Sequence, residues 1–199
     1  MKKNRGYTLI EMILVIAITV ILAGVSFITV GVIREAKRIS AVEKFNNQLN
    51  HYFLQTKAVS EPTYSDKTAA AGKETVAADK KLVLLIKKRT DGSYGMVSGY
   101  LDTAETSVKD ASGNAVDVND DAKCEAILEK DITSIVYTPS STGQKKEIDG
   151  GIIVQYVKSD GSLRYGAGEY ELHTKKLGDD NHLYTTIVLD PITGQHHTK

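Results

Sequence analysis

Between Gly6 and Arg34 the sequence carries one charged side chain, Glu11. Downstream of it, Met12 to Ile33 runs for 22 residues without a charge. A carboxylate inside a bilayer costs roughly 2.5 kcal/mol or more, so a sequence that needed only an apolar anchor would omit it. Two chemistries are open to Glu11. It reaches water at the headgroups by extending its side chain, or it meets a cation, because a charge in apolar surroundings is tolerated when paired. Upstream, Lys2, Lys3 and Arg5 form a basic cluster with no accompanying acid, closed by Gly6.

The remaining candidates for chemistry fit no catalytic or metal-binding pattern. No HExxH, GxSxG, Walker or CxxC motif is present. His173, His182, His196 and His197, with Asp179 and Asp180 nearby, have the spacing of no standard ligand set and read as surface histidines. Residues 159–171, SDGSLRYGAGEYE, are acidic and glycine-rich but are not a twelve-residue EF-hand loop, and an ordinary hairpin is expected. Cys124 is the one cysteine, so no disulfide closes within the chain. It alternates with apolar residues in 121–130, where a short helix capped by Asp120 or Asp121 and a buried thiol are expected. No metal, cofactor or catalytic residue is assigned, and the chain reads as a non-enzyme. Ten tyrosines against three phenylalanines and no tryptophan point to rings with one dry and one wet edge, as at subunit contacts or on a half-buried sheet.

Length and charge bound the organisation. The 199 residues suit one domain with an N-terminal appendage. Lys plus Arg and Asp plus Glu both number 25, and this balance gives no electrostatic case for nucleic acid. Met12 to Ile33 as a helix spans about 33 Å, enough for a hydrocarbon core of about 30 Å. The upstream cations keep the N-terminus cytoplasmic and the rest exported. From Arg34 to Val59 there is neither proline nor glycine, and Ile39, Val42, Phe45, Leu49, Tyr52, Phe53 and Val59 share one side at helical spacing. Arg38 falls within that arc and Leu54 outside it. One helix is therefore expected from about Tyr7 to Val59, its first half apolar all round and its second half amphipathic, ended at Ser60-Glu61-Pro62. The length of the apolar run and its continuation as helix argue against a secretory signal peptide. A plain signal anchor leaves Gly6 and Glu11 without a role, and a lipoprotein would need a cysteine after the run.

The stretch GYTLIEMILVIAITVILAG, with the basic residues before it, resembles the class III signal of type IV pilins and pseudopilins. The match is residue by residue at Gly6, Tyr7 and Glu11 and covers about residues 1–35. The resemblance implies a leader, residues 1–6, cut between Gly6 and Tyr7 by prepilin peptidase, with N-methylation of Tyr7. It also implies a retained apolar helix and a fibre in which Glu11 meets the Tyr7 amine of a neighbour. Within one helix the same two groups lie about one turn apart, and a single polar pair among apolar contacts fixes register. The chain departs from the family pattern in carrying Tyr7 where phenylalanine is commoner. It also lacks a proline within the apolar run, where Gly24 and Gly31 are the weak points instead or sites of close helix approach.

Beyond the helix, residues 60–80 read as a linker and 81–199 as a head domain. Strands are expected at Lys81–Arg89, Tyr94–Leu101, Ile132–Thr138, Gly151–Lys158, Ser162–Tyr165, Tyr170–His173 and Tyr184–Leu189, with a long loop over 102–121 and turns at Thr90–Ser93 and Ser159–Gly161. Their succession predicts an α+β fold in which the amphipathic half of the helix covers an antiparallel sheet. The same lollipop shape is implied by the resemblance. The ending IVLDPITGQHH is similar to the close of minor, GspH-like pseudopilins, with Gln195 where an arginine is usual. The function implied is a structural subunit of a type IV pilus, or of a pseudopilus for type II secretion or DNA uptake. Its partners would be the peptidase, other subunits, an assembly platform with its ATPase, and the membrane, with nucleic acid met only through uptake. The location implied is the cytoplasmic membrane, then a surface fibre. The competing class is a single-copy anchored binding domain or enzyme.

Overall fold

Fifty residues from Leu9 to Ala58, free of proline, form one helix, α1. The structure, a computed structural model, describes residues 8–58, 82–101, 107–110, 112–176 and 179–199; the side chains at 25–29 and 176–180 are outside that description. The expected helix limits at Tyr7 and Val59, the stop at Ser60–Pro62 and the linker 60–80 lie outside the described residues.

The two halves of α1 have different surroundings. Every described side chain from Leu9 to Gly24 is exposed. Beyond Arg38, one face sinks into the head: Ala41, Phe45, Gln48, Leu49, Tyr52 and Thr56 are buried at spacings of three and four. This face is turned slightly from the expected stripe. Ile39 remains 47% exposed, while Gln48 and Thr56 are inside it. Both polar groups are satisfied there, Gln48 by the Glu125 carboxylate and Thr56 by the Tyr52 carbonyl at 3.0 Å. Leu54 lies outside the face, 63% exposed. Arg38 marks the face's edge, its guanidinium donating to the Lys175 carbonyl at 2.6 Å.

The strands are β1 Leu82–Lys88, β2 Tyr94–Leu101, β3 Val108–Lys109, β4 Ala126–Leu128, β5 Ile132–Pro139, β6 Lys146–Glu147, β7 Ile152–Tyr156, β8 Leu163–Tyr165, β9 Gly168–Lys176, β10 Asp179–Leu189 and β11 His196–Thr198. They form two antiparallel sheets, not one. The first has the order β3-β2-β1-β7-β8, with β4 also on β2; the second is β11-β10-β9-β5-β6. Alternation identifies strands but not their partners, and here the chain moves from one sheet to the other and back. The main core explains the split, a second small cluster of Val83, Leu101 and Val108 lying apart from it. Leu84, Ile86, Met96, Val154 and Tyr156 of the first sheet face Ile135, Leu172, Ile187 and Leu189 of the second, with Phe45, Leu49 and Tyr52 of α1 between them.

Two further departures have local causes. The expected helix over 121–130 is a turn followed by β4. Asp120 does cap a turn, its carboxylate accepting from the Ala122 amide at 3.0 Å and its carbonyl from Cys124 N at 2.9 Å. The chain then leaves helical geometry, because the Glu125 amide donates to the Met96 carbonyl at 3.0 Å and 126–128 complete the edge of β2. In the expected loop 102–121, β3 pairs with the end of β2. Its approach depends on Gly99: a Cβ there would stand 2.7 Å from Val108 Cγ1 and 2.8 Å from the Lys109 carbonyl.

The sheets are joined at a few specific points. Ile135 follows a register shift in the β5–β9 pairing, and its buried amide donates to the Tyr94 hydroxyl at 3.2 Å, which donates in turn to Asp149 at 3.3 Å. At the opposite end, Gly194 (φ +65°) lies so close to the turn after β7 that a Cβ would come within 2.0 Å of the Gly161 carbonyl. Lys57 at the end of α1 caps the Lys158 carbonyl of the same turn at 2.8 Å.

Tyr94→Phe leaves the Ile135 amide without its partner and should destabilise the full-length chain by about 1–3 kcal/mol. Thermal unfolding in detergent micelles checks this, and a loss under about 0.5 kcal/mol would mean that another group serves the amide.

The turns themselves predict an acid dependence. The Ser93 hydroxyl and amide hold Asp91 down at about 2. The Ser162 hydroxyl and amide lower Asp160, and the Thr193 amide lowers Asp190. Each depressed folded value contributes stability above the ordinary aspartate pKa of about 4, lost as pH falls through the folded value. The urea midpoint should therefore drop between pH of about 4 and 2, and Asp91→Asn, which keeps the turn, should remove part of that slope.

Candidate functional site

The start of α1 is built by two side chains three positions apart in the chain's first apolar segment. Thr8 stands at the N-cap and Leu9 is the first helical residue. The Thr8 amide donates to Glu11 Oε2 at 2.8 Å and the Thr8 hydroxyl to the same oxygen at 3.0 Å. In return the Glu11 amide donates to Thr8 Oγ1 at 3.3 Å. This is a capping box: each side chain satisfies a backbone N–H that the helix leaves without a partner. The carboxylate also lies at the end of the helix where the backbone dipoles favour negative charge.

Of the residues singled out in the sequence, the structure therefore gives Glu11 a partner that was not foreseen. Thr8 was legible: T-x-x-E before an apolar run is the sequence signature of this cap. Lys2, Lys3, Arg5, Gly6 and Tyr7 lie outside the described residues.

Around this cap the helix presents apolar surface without interruption. Leu9, Ile10, Met12, Ile13 and Leu14 are all more than half exposed. The Thr19 hydroxyl is turned back onto the Val15 carbonyl at 2.6 Å, so it adds no unmet polar group. At Gly24 and Gly31 a Cβ would meet nothing within 4 Å, so neither glycine is required by a contact within the subunit. Among the described residues no helix is long and apolar enough to cross a membrane. The uncharged run of the sequence includes 25–29, whose side chains are not described.

The other candidates are held in structural roles. His173 Nδ1 faces the Asn181 carbonyl at 3.2 Å and its Nε2 lies 3.6 Å from Glu171. His196 and His197 are on β11, and among the described residues no three of His, Cys, Asp and Glu converge as a metal site. In 159–171 the acids have protein partners: Glu169 with Lys199 and Glu171 with Lys145, both at 2.7 Å, while Asp160 caps Ser162. The segment contains the expected hairpin between β7 and β8. Cys124 lies in a turn and is half-buried. Its thiol faces the Ala126 and Met96 carbonyls, and burial raises its pKa, which disfavours the reactive thiolate.

Residues 1–27 match the family model of the prokaryotic N-terminal methylation motif. This motif, the class III signal, is the hallmark of type IV pilins and pseudopilins. No curated protein and no solved structure matches the chain.

The capping box makes its own prediction. Thr8→Ala should lose about 1 kcal/mol of helix-start stability, read as weakened helical chemical shifts over 9–13 in micelles. Glu11→Gln should leave those shifts in place, since glutamine also serves at this position. Equal fraying in both variants would show that charge, not the cap, holds the helix start.

Proposed function

We propose that this chain is a prepilin: a structural subunit made with a leader of residues 1–6, cut between Gly6 and Tyr7 by prepilin peptidase, N-methylated at Tyr7 and assembled into a helical fibre. The observation that carries this reading is the methylation motif over residues 1–27. The exposed apolar half of α1, about residues 7–33, is the part held in the cytoplasmic membrane and then packed in the fibre core. Residues 60–80 link it to the head, 81–199. An assembly platform with a cytoplasmic ATPase moves the subunit from one to the other, in a type IV pilus or in a pseudopilus for secretion or DNA uptake. Lys2, Lys3 and Arg5 keep the leader on the cytoplasmic side.

Glu11 changes partners in this account. In the waiting subunit its carboxylate is satisfied by Thr8 and the new amine of its own chain. In the fibre it meets the Tyr7 amine of a neighbour. The capping box also favours a second reading, because it accounts for Glu11 within one chain: a single-copy anchored binding domain needs no neighbour.

Glu11→Gln separates the two, since it retains the cap and removes the charge. The fibre reading expects Glu11→Gln and Glu11→Ala subunits to be trimmed to Tyr7 in host membranes and to be missing from sheared fibres, both followed by mass spectrometry of the N-terminal peptide. Mutant subunits in fibres at wild-type levels would remove the role given to Glu11. An uncut leader on the wild-type chain would favour the anchored domain. Gly6→Ala should block trimming.

A further inference from the structure

The head meets α1 closest to its apolar half at the hairpin that joins β9 to β10. The Tyr184 hydroxyl donates to Glu35 Oε1 at 2.9 Å. Arg38 lies 3.5 Å from Glu35, stacks 5.8 Å from the Tyr184 ring centre and donates to the Lys175 carbonyl. These contacts fall immediately after the uncharged run, which ends at Ile33. From Ile33 to Arg38 the helix rises about 7.5 Å. The headgroup layer on each side of a bilayer is roughly 5–7 Å deep. No spacer separates the head from that layer.

The direction of β10 brings it closer still. Tyr184 meets Glu35, whereas Thr198, on the strand paired with β10 at Ile187, meets Asn46 at 3.4 Å. The strand thus runs along α1 in the helix's own direction, which places His182 and Leu183 toward the apolar half. Leu183 is 45% exposed. A tyrosine with an adjacent aliphatic residue is the composition of a membrane interface, where rings sit at headgroup level. Arg34 and Lys37, on the same turns of α1, are exposed and make no ion pair among the described residues, whereas Glu35 is taken up by Arg38 and Tyr184.

We propose that this end of the head, Leu183 and Tyr184 of β10 together with Arg34 and Lys37 on the adjoining turns of α1, docks on the phosphate headgroup layer of the membrane that holds the unassembled subunit. The inference rests on the membrane reading of α1. Docking fixes the tilt of the head over the bilayer, so that extraction begins by breaking a headgroup contact as well as by withdrawing the helix.

The test uses the full-length Cys124→Ser chain in vesicles of phosphatidylcholine with phosphatidylglycerol, spin-labelled singly through Leu183→Cys, Ile192→Cys or Ile21→Cys. Ile192 is 79% exposed in the turn between β10 and β11 and serves as the aqueous reference. The expected result is loss of access to a water-soluble relaxant at 183 but not at 192, with the label at 21 in hydrocarbon. Replacing Arg34 and Lys37 by glutamine should restore access at 183 and leave 21 unchanged. A label at 183 as accessible as at 192, with 21 in hydrocarbon, overturns the docking while the membrane reading stands. Unchanged shielding in the glutamine variant overturns the part given to the headgroup phosphates. A water-accessible label at 21 removes the membrane reading itself.

Discussion

The contact between the aromatic face of α1 and the two sheets holds the head together. Phe45 packs on Tyr170 of the second sheet with ring centres 5.8 Å apart, and Tyr52 and Phe53 pack on Tyr156 of the first at 5.4 and 5.1 Å. Each ring pair adds stabilisation beyond the area it buries. Tyr52 also donates its hydroxyl to the Leu82 carbonyl at 2.6 Å, at the start of β1. One helical face thus serves both sheets, and its polar flanks close their sides: Lys44 pairs with Glu129 beyond β4 at 3.0 Å, and Asn46 reaches Thr198 on β11.

That arrangement explains what was legible in the sequence. The apolar runs of Leu82–Lys88 and Tyr94–Leu101, with Asp91-Gly92 between them, reflect a hairpin whose contacts are local. The helical spacing of Phe45, Leu49 and Tyr52 reflects a face set by geometry alone. The assignment of strands to two sheets depends on which core each one meets, and that information is distributed over residues 84 to 189. β6 and β11, two and three residues long, carry no periodicity of their own. Ala126–Leu128 has helical propensity and becomes a strand because β2 offers it an edge, a case of tertiary context overriding a weak local preference. Thr8 belongs to a different case: its T-x-x-E spacing to Glu11 is a local cap signature, carried by the same residue whose charge stands out in the apolar run.

The cap changes the energetics of Glu11. An unpaired carboxylate in an apolar setting is strongly unfavourable, whereas one that accepts two hydrogen bonds at a helix N-terminus is partly compensated before any neighbour arrives. A neighbour's amine is then not required to rescue the charge. In the proposed fibre it would need only to offer more than Thr8 already does, a small difference that would let one subunit be stable while waiting and still exchange partners afterwards.

The apolar half of α1 sets the final constraint. Fully burying one aliphatic side chain is worth about 1.5–3 kcal/mol, so a helix with this many exposed ones is covered by something in the cell. Lipid and packed helices cover it nearly equally, because hydrocarbon tails are as apolar as leucine. On the proposed reading, moving the helix from a bilayer to a fibre would therefore gain little from the hydrophobic effect. Direction would then come from the few groups that tell the two surroundings apart: the Glu11 carboxylate, which in the proposed fibre would find a second cation, and the open backbone at Gly24 and Gly31, where another helix can approach more closely than a lipid tail packs. On that reading the work of withdrawal would fall to the proposed assembly platform, and the polar contacts of Glu11 would set where the helix stops.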